Sequence, residues 1–229
     1  DGDAFVQEVT TNIDRRNIGV EAGIEYQVTP TILLKGAANV SQNVFTNNPD
    51  LYLTSQNFPG QLRFGDGTTK LEDFHVAGGP ERAYQIGFEY RDPDFWWVGA
   101  TLNYFSNAYV DVSRLRRSDN FTLDADGLPF VSFDENEARN LLKQEELDDY
   151  ALVNLVGGKS WRIDKYFLGF FASINNLFAE EHRTGGFEQS RKGTFENLTD
   201  DVQNGRPTFG NRYFFGNGTT YYVNVYLRF

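Results

Sequence analysis

The chain has 229 residues, a formal charge of −11 and a pI near 4.7, which argues against a nucleic-acid-binding surface, since those carry a basic patch or stripe. It has no cysteine, hence no disulfide framework or thiolate metal site, and its two histidines, His75 and His182, are too distant in sequence to suggest a histidine-rich metal centre. No window approaches the roughly eighteen consecutive apolar residues of a membrane-spanning helix, a limit that leaves alternating strands untouched.

From Asn17 the residues Ile18, Val20, Ala22, Ile24, Tyr26 and Val28 alternate with Gly19, Glu21, Gly23, Glu25 and Gln27 as far as the turn at Thr29 and Pro30. A two-residue period sends successive side chains to opposite faces, so this is a strand with one apolar and one polar face. Ile32, Leu34, Gly36, Ala38 and Val40 continue the pattern against Lys35, Asn39 and Ser41. A long break from about Phe45 to Pro80, punctuated by Asn, Gly and Pro turns, follows.

Alternation returns in Arg82 to Tyr90 and, after the short turn Arg91 to Asp94, in Phe95 to Tyr109, with Trp96, Val98, Ala100, Leu102 and Tyr104 on one face. Tyr90, Phe95, Trp96 and Trp97 gather beside that turn, as an interfacial aromatic belt requires. A second break runs from about Val110 to Asp148. Within it Asp134 to Leu147 has helical spacing at Ala138, Leu141 and Leu142, and its acidic residues are read as a solvated helix face because no calcium-loop spacing links them. Tyr150 to Trp161 is a weaker strand with Val153 and Leu155 outward, and the short turn Arg162 to Lys165 leads to Tyr166 to Asn175. A third break spans about Leu177 to Gly218.

The final stretch, Thr219 to Phe229, places Tyr221, Val223, Val225, Leu227 and Phe229 on one face. About ten residues at roughly 3.3 Å each, tilted by roughly 45°, suffice to cross an outer membrane. Short turns alternate strictly with breaks of several dozen residues, the asymmetry of membrane barrels with short periplasmic turns and long outer loops. An aromatic share of 16% suits the girdles of such barrels. The expected fold is an all-β, antiparallel transmembrane β-barrel segment of about seven strands with short periplasmic turns and long extracellular loops. Single-chain bacterial barrels have even counts of about eight or more strands, so further strands are expected upstream.

Three stretches in order add a resemblance. Tyr90 to Gly99 continued by Asn103 to Tyr109, then Ser173-Ile174-Asn175-Asn176-Leu177-Phe178, then Gly185 to Arg191 with Tyr213 to Gly216, together resemble TonB-dependent outer-membrane receptors of the Bacteroidetes type. The aromatic end at Phe229 resembles the C-terminal signal that outer-membrane barrels present to their assembly machinery. The resemblance covers the last seven of the family's roughly 22 strands, and residues 1–229 are read as the C-terminal part of a receptor barrel lacking the plug domain and earlier strands. It implies residence in the cell outer membrane among lipid and lipopolysaccharide, and active uptake of a scarce ligand (a siderophore or other nutrient). It also implies energy from TonB through a missing N-terminal part, and leaves open a partner lipoprotein at the surface. The match departs from the ending of polysaccharide importers, so it does not extend to a glycan substrate.

No nucleophile with a base stands out, so a transporter is expected rather than an enzyme, and no cofactor or nucleic-acid partner is expected. Ligand contacts are expected in the loops. Arg114, Arg116 and Arg117 suit an anionic ligand or a lipopolysaccharide phosphate, against the alternative that they are solvated or paired with loop acids. Tyr213 and Phe214 are candidates for the outer vestibule, against a role in an aromatic girdle. Two other readings stand beside the transporter: a passive porin, which predicts no plug upstream, and a secreted carbohydrate-binding sandwich, which predicts a segment that folds without detergent.

Overall fold

A computed structural model describes residues 5–124 and 126–229. Among the described residues the chain is all-β, with antiparallel sheets and two short helices. In order it forms β1 (Val6–Thr11), β2 (Arg15–Thr29), β3 (Ile32–Phe45), β4 (Asp50–Ser55), β5 (Phe58–Leu62), β6 (Arg82–Arg91) and β7 (Trp96–Ser106). Then come α1 (Glu135–Leu141), β8 (Tyr150–Ile163), β9 (Tyr166–Asn175), β10 (Arg183–Phe187), α2 (Phe195–Gln203), β11 (Arg212–Phe215) and β12 (Thr220–Arg228).

The alternating segments make one seven-stranded sheet in the order β12-β9-β8-β7-β6-β3-β2, an up-and-down wall in which each strand pairs with the next alternating segment. The wall does not close on itself. Its outer strands β2 and β12 are edges among the described residues.

Register decides what each face carries. Tyr26 lies opposite Leu34, which lies opposite Phe88, then Ala100, Leu155, Ile174 and Tyr221, so one row of apolar residues crosses all seven strands. Parallel rows through Ile86, Leu102 and Val153, and through Ala172 and Val223, complete an apolar face. That face is bare, with Ile24 69% exposed, Ile86 64% and Val225 69%. The opposite face carries Glu21, Asn39, Gln85, Asn103 and Asn154, joined by bonds such as Gln85 Nε2 to Asn103 Oδ1 at 2.8 Å and Asn39 Nδ2 to Glu21 Oε1 at 2.8 Å.

The three short connections lie at one end. Thr29 Oγ1 accepts from the amides of Thr31 (3.3 Å) and Ile32 (3.1 Å), and Asp92 Oδ1 accepts from the Asp94 amide at 2.9 Å. Asp164 takes the left-handed conformation (φ 56°) that the tight turn between β8 and β9 requires, which a short polar side chain tolerates.

At the other end the three breaks are more structured than their composition suggests. β4 and β5 join β1 in a small sheet, and β10 pairs with β11 as a hairpin. Their short runs lack a sustained two-residue pattern, so periodicity does not reveal them.

The expected helix from Asp134 to Leu147 is shorter than its spacing implies. Asp134 caps it, accepting from the Glu137 amide at 2.8 Å, but α1 ends at Leu141. The following residues run extended beside 108–110, with Val110 N donating to Glu145 O (3.0 Å) and Leu147 N to Ala108 O (2.7 Å). Pairing with another chain segment and burial of Leu147 replace the helical bonds there. Glu145, Glu146, Asp148 and Asp149 therefore bind Arg183, Asn107, Arg183 and Tyr104 respectively and form no helix face.

The hydrophobic core lies in this loop assembly, which we call the cap. Phe121, Ala138, Phe195 and Leu198 form one cluster, Phe45, Leu71 and Val112 a second, and Ala108, Val110 and Leu147 a third. Each joins residues from different breaks or from a break and a strand end. Burying one such Phe or Leu contributes about 1.5–3 kcal/mol, which holds these long connections in one shape.

Candidate functional site

The residues of greatest chemical interest lie in the turn 113–118, where a single helical turn of tight pitch (Leu115–Arg117) presents three arginines to all three breaks. Arg114 Nη1 donates to Asp111 at 2.7 Å and to the Val112 carbonyl at 3.2 Å. Arg117 forks onto Glu188, with Nη2 to Oε1 at 2.8 Å and Nη1 to the second oxygen. Its Nη2 also reaches the Leu142 carbonyl at 2.8 Å, and its guanidinium carbon sits 5.0 Å over the Phe74 ring. Glu188 accepts in addition from the Ser113 amide at 2.9 Å. Arg117 thus fastens the first, second and third breaks together.

Two of the three arginines expected to face a ligand are therefore occupied by carboxylates of the cap. Glu188, far off in sequence but near in space, claims Arg117, and Asp111, three residues away, claims Arg114. Arg116 differs. It is 7% exposed, donates Nη2 to the Phe209 carbonyl at 3.1 Å, and has no carboxylate within ion-pair distance among the described residues. Its Nε is buried without a partner, against Gly193, where an added Cβ would come within 2.8 Å of Arg116 Cγ. Burial, opposed by the charge of Glu188, lowers its pKa from the usual arginine value.

Two cavities flank Arg116. One, of about 460 Å³, is lined by Leu141, Leu198, Asp201, Phe209 and Tyr213. The other, of about 640 Å³, lies between the arginine turn and α1 and is walled by Phe74, Phe121, Phe133 and Leu142. Both volumes are those of small-molecule pockets, which run about 300–1,000 Å³.

Tyr213 is a strut of the cap. Its hydroxyl donates to Glu145 (2.8 and 3.0 Å), which also accepts from Asn211 Nδ2 (2.7 Å) and Arg183 Nη1 (3.2 Å), while the Arg183 guanidinium lies 4.6 Å over the Tyr213 ring. Burial first, and the Glu145 hydrogen bond second, raise the Tyr213 pKa above the usual phenol value. Phe214 points elsewhere: it is 57% exposed and pairs with Phe187 across the β10–β11 hairpin at 5.9 Å.

The aromatic group beside the turn after β6 is split between faces. Trp96 packs on Tyr90 at 5.0 Å on the apolar side, and Phe95 is exposed in the turn itself. Trp97, one residue on, faces the polar side, where it meets Phe171 at 6.0 Å and crowds Gly158 so closely that a Cβ there would sit 3.0 Å from its Nε1. Trp97 thus leaves the belt, because neighbouring strand residues point to opposite faces. Tyr221, Val223, Val225 and Leu227 share the apolar face of the edge strand β12, and Phe229 follows them, 93% exposed.

No cluster of His, Asp and Glu suited to a metal occurs among the described residues. His75 is engaged with Glu81 (Nδ1 to Oε1, 3.0 Å) and stacks on Tyr109 at 3.7 Å, and His182 stacks on Tyr150 at 4.3 Å. No protein-family model, curated protein or solved structure matches the chain.

The buried cation Arg116, the cap-binding role of Glu188 and the cavity beside α1 had no sequence signal. The nearest one was the dense basic turn itself, Arg114 to Arg117, in an otherwise acidic chain.

Proposed function

We propose that the seven-stranded sheet is part of the wall of a transmembrane β-barrel in the outer membrane, and that the chain belongs to a TonB-dependent receptor taking up a scarce ligand. The observation that carries the reading is the apolar face: seven strands present it continuously, and it stays exposed while the hydrophobic core gathers in the cap. In water such a face is a liability, since soluble monomers rarely expose contiguous apolar patches larger than about a few hundred Å². Against lipid it is the expected outside of a barrel whose inside is polar. A sandwich would cover it with a second sheet, whereas Ile24, Ile86 and Val225 of this face are exposed.

Two open edges support further strands. Unpaired backbone groups in hydrocarbon cost several kcal/mol each, so β2 and β12 require partners from the rest of a closed barrel. Transport, rather than a bare wall, is supported by the resemblance in the three stretches and by a cap that carries two open pockets. In this reading the short turns face the periplasm and TonB acts through a plug upstream. The barrel-assembly machinery reads the end at Phe229, and lipopolysaccharide surrounds the upper wall. A surface lipoprotein is an optional partner, and no catalytic step is involved.

Topology tests it. Single cysteines at Asp66, Asp126 and Asn204, all exposed in the cap, should react with an impermeant maleimide on intact cells. Labelling only after the outer membrane is opened would reverse the orientation, and a protein recovered in the soluble fraction would end the barrel reading.

A further inference from the structure

The cavity beside α1 is cationic within an acidic protein. Five basic side chains line it against two acidic ones, Asp119 and Glu135, although the chain as a whole carries −11. Three of the five are balanced locally: Lys70 by Asp66 (3.2 Å), Arg139 by Glu135 (2.6 Å) and Arg117 by Glu188. Arg116 and Lys143 have no ion pair among the described residues. They differ in setting, for Arg116 is buried whereas Lys143 is exposed at the rim.

Burying a guanidinium is costly unless opposite charges return the desolvation of the ion, and at Arg116 burial outweighs the attraction of Glu188 and Asp201, neither of which forms an ion pair with it among the described residues. Arg116 keeps one carbonyl bond through Nη2, and its buried Nε has no hydrogen-bond partner among the described residues. The second cavity bordered by Arg116 supplies no ion pair. Asp201 lines it, hydrogen-bonded by the amide (2.9 Å) and hydroxyl (2.6 Å) of Thr208, but forms no ion pair with Arg116 among the described residues. The cavity beside α1 is also lined by Phe74, Phe121, Phe133 and Leu142, surfaces that favour an apolar or aromatic body, with Ser118, Thr122, Ala138 and Gln144 in the same lining.

We propose that this cavity binds a small amphipathic anion, a carboxylate carried on an aromatic body, with Arg116 and Lys143 holding the carboxylate and the phenylalanines enclosing the ring. The proposal deepens the uptake reading above by naming a ligand class, and the two can fail separately. A carboxylate suits one buried guanidinium and one flexible ammonium, since it offers two oxygens to a planar fork and needs no larger cluster of cations.

The intact protein in lipid nanodiscs is titrated with 2-naphthoate, its uncharged isostere 2-naphthamide and naphthyl phosphate, with empty nanodiscs subtracted. Naphthoate should bind at least about tenfold more tightly than the amide, the difference expected of a charge-assisted bond. Arg116→Gln should weaken naphthoate by about tenfold or more and leave the amide unchanged. Because Arg116 is buried, its variant is checked by proteolysis of the cap; if the cap opens, Lys143→Glu, a change at an exposed and unpaired side chain, carries the test, with binding again expected to fall. Equal binding of acid and amide, or naphthoate binding untouched by Lys143→Glu, would overturn the site. Tighter binding of the phosphate ester would overturn the carboxylate assignment. Cells expressing the intact protein separate the two readings: naphthoate bound to purified protein but not accumulated in a TonB-dependent way would remove the uptake reading and leave the site standing.

Discussion

The wall and the cap obey opposite rules. In the wall, apolar side chains point outward and backbone hydrogen bonds hold the strands together, so Ile24, Ile86 and Val225 stay exposed. In the cap, apolar side chains turn inward, and Phe45, Phe121 and Phe195 are 2% exposed or less. Polar groups reverse as well: the wall sets amides and carboxylates on its other face, whereas the cap buries an ion pair, Arg117 with Glu188, at its centre. The proposed barrel accounts for the difference by two solvents: a surface against lipid would gain nothing by hiding its apolar atoms, while loops in water must pack a core to keep a shape.

The largest expected effect falls on the cap alone. Removing one member of a buried pair leaves an uncompensated charge and costs about 3–5 kcal/mol. Arg117→Ala should therefore open the breaks, with fast amide exchange across 107–149 and 177–218, while amides of the seven-stranded sheet keep their protection. Loss of protection in both regions together would show that wall and cap form a single cooperative unit.

The next effect falls on the wall alone and depends on its faces. Leu102 lies between Ile86 and Val153 on the apolar side, and Thr101 points to the polar side. An arginine facing lipid near mid-membrane costs about 2–4 kcal/mol, so if the wall belongs to the proposed barrel, Leu102→Arg should destabilise the intact protein more than Thr101→Arg in reversible unfolding from bilayers. Leu102→Phe should be tolerated by lipid and resisted by a close-packed protein core. If it proves as harmful as Leu102→Arg, that face packs on protein.

A smaller effect separates the two regions by pH. The pKa of Tyr213 is raised by burial and by Glu145, so its stabilising contribution is complete below the ordinary phenol range and is lost as pH rises through the raised value. Tyr213→Phe should lower cap stability by about 1.5 kcal/mol near neutrality, as for one hydrogen bond to a charged group, and should flatten the alkaline loss. Proteolysis of the cap across that pH range reads both. An unchanged alkaline limb would mean that another group controls it.

The pattern of residues by itself determined the wall. A strand has a period of two, so composition at alternate positions already separates the faces of β2, β3, β6, β7, β9 and β12, and the turn residues at Thr29, Asp92 and Asp164 mark where it reverses. Even the weak strand β8 reads correctly, with Val153 opposite Leu102. Only tertiary structure decided the cap. Arg117 and Glu188 are 71 residues apart, and His75 and Gln144, whose amide groups exchange two bonds at 2.9 Å, are 69 apart. No local period relates such residues, so the sequence shows three arginines alike while the fold pairs two of them and leaves Arg116 buried. The same holds for the helix begun at Asp134: its spacing is local and persists to Leu147, but the strand-like partner that ends it at Leu141 comes from 108–110, and long-range burial of Leu147 overrides the local preference.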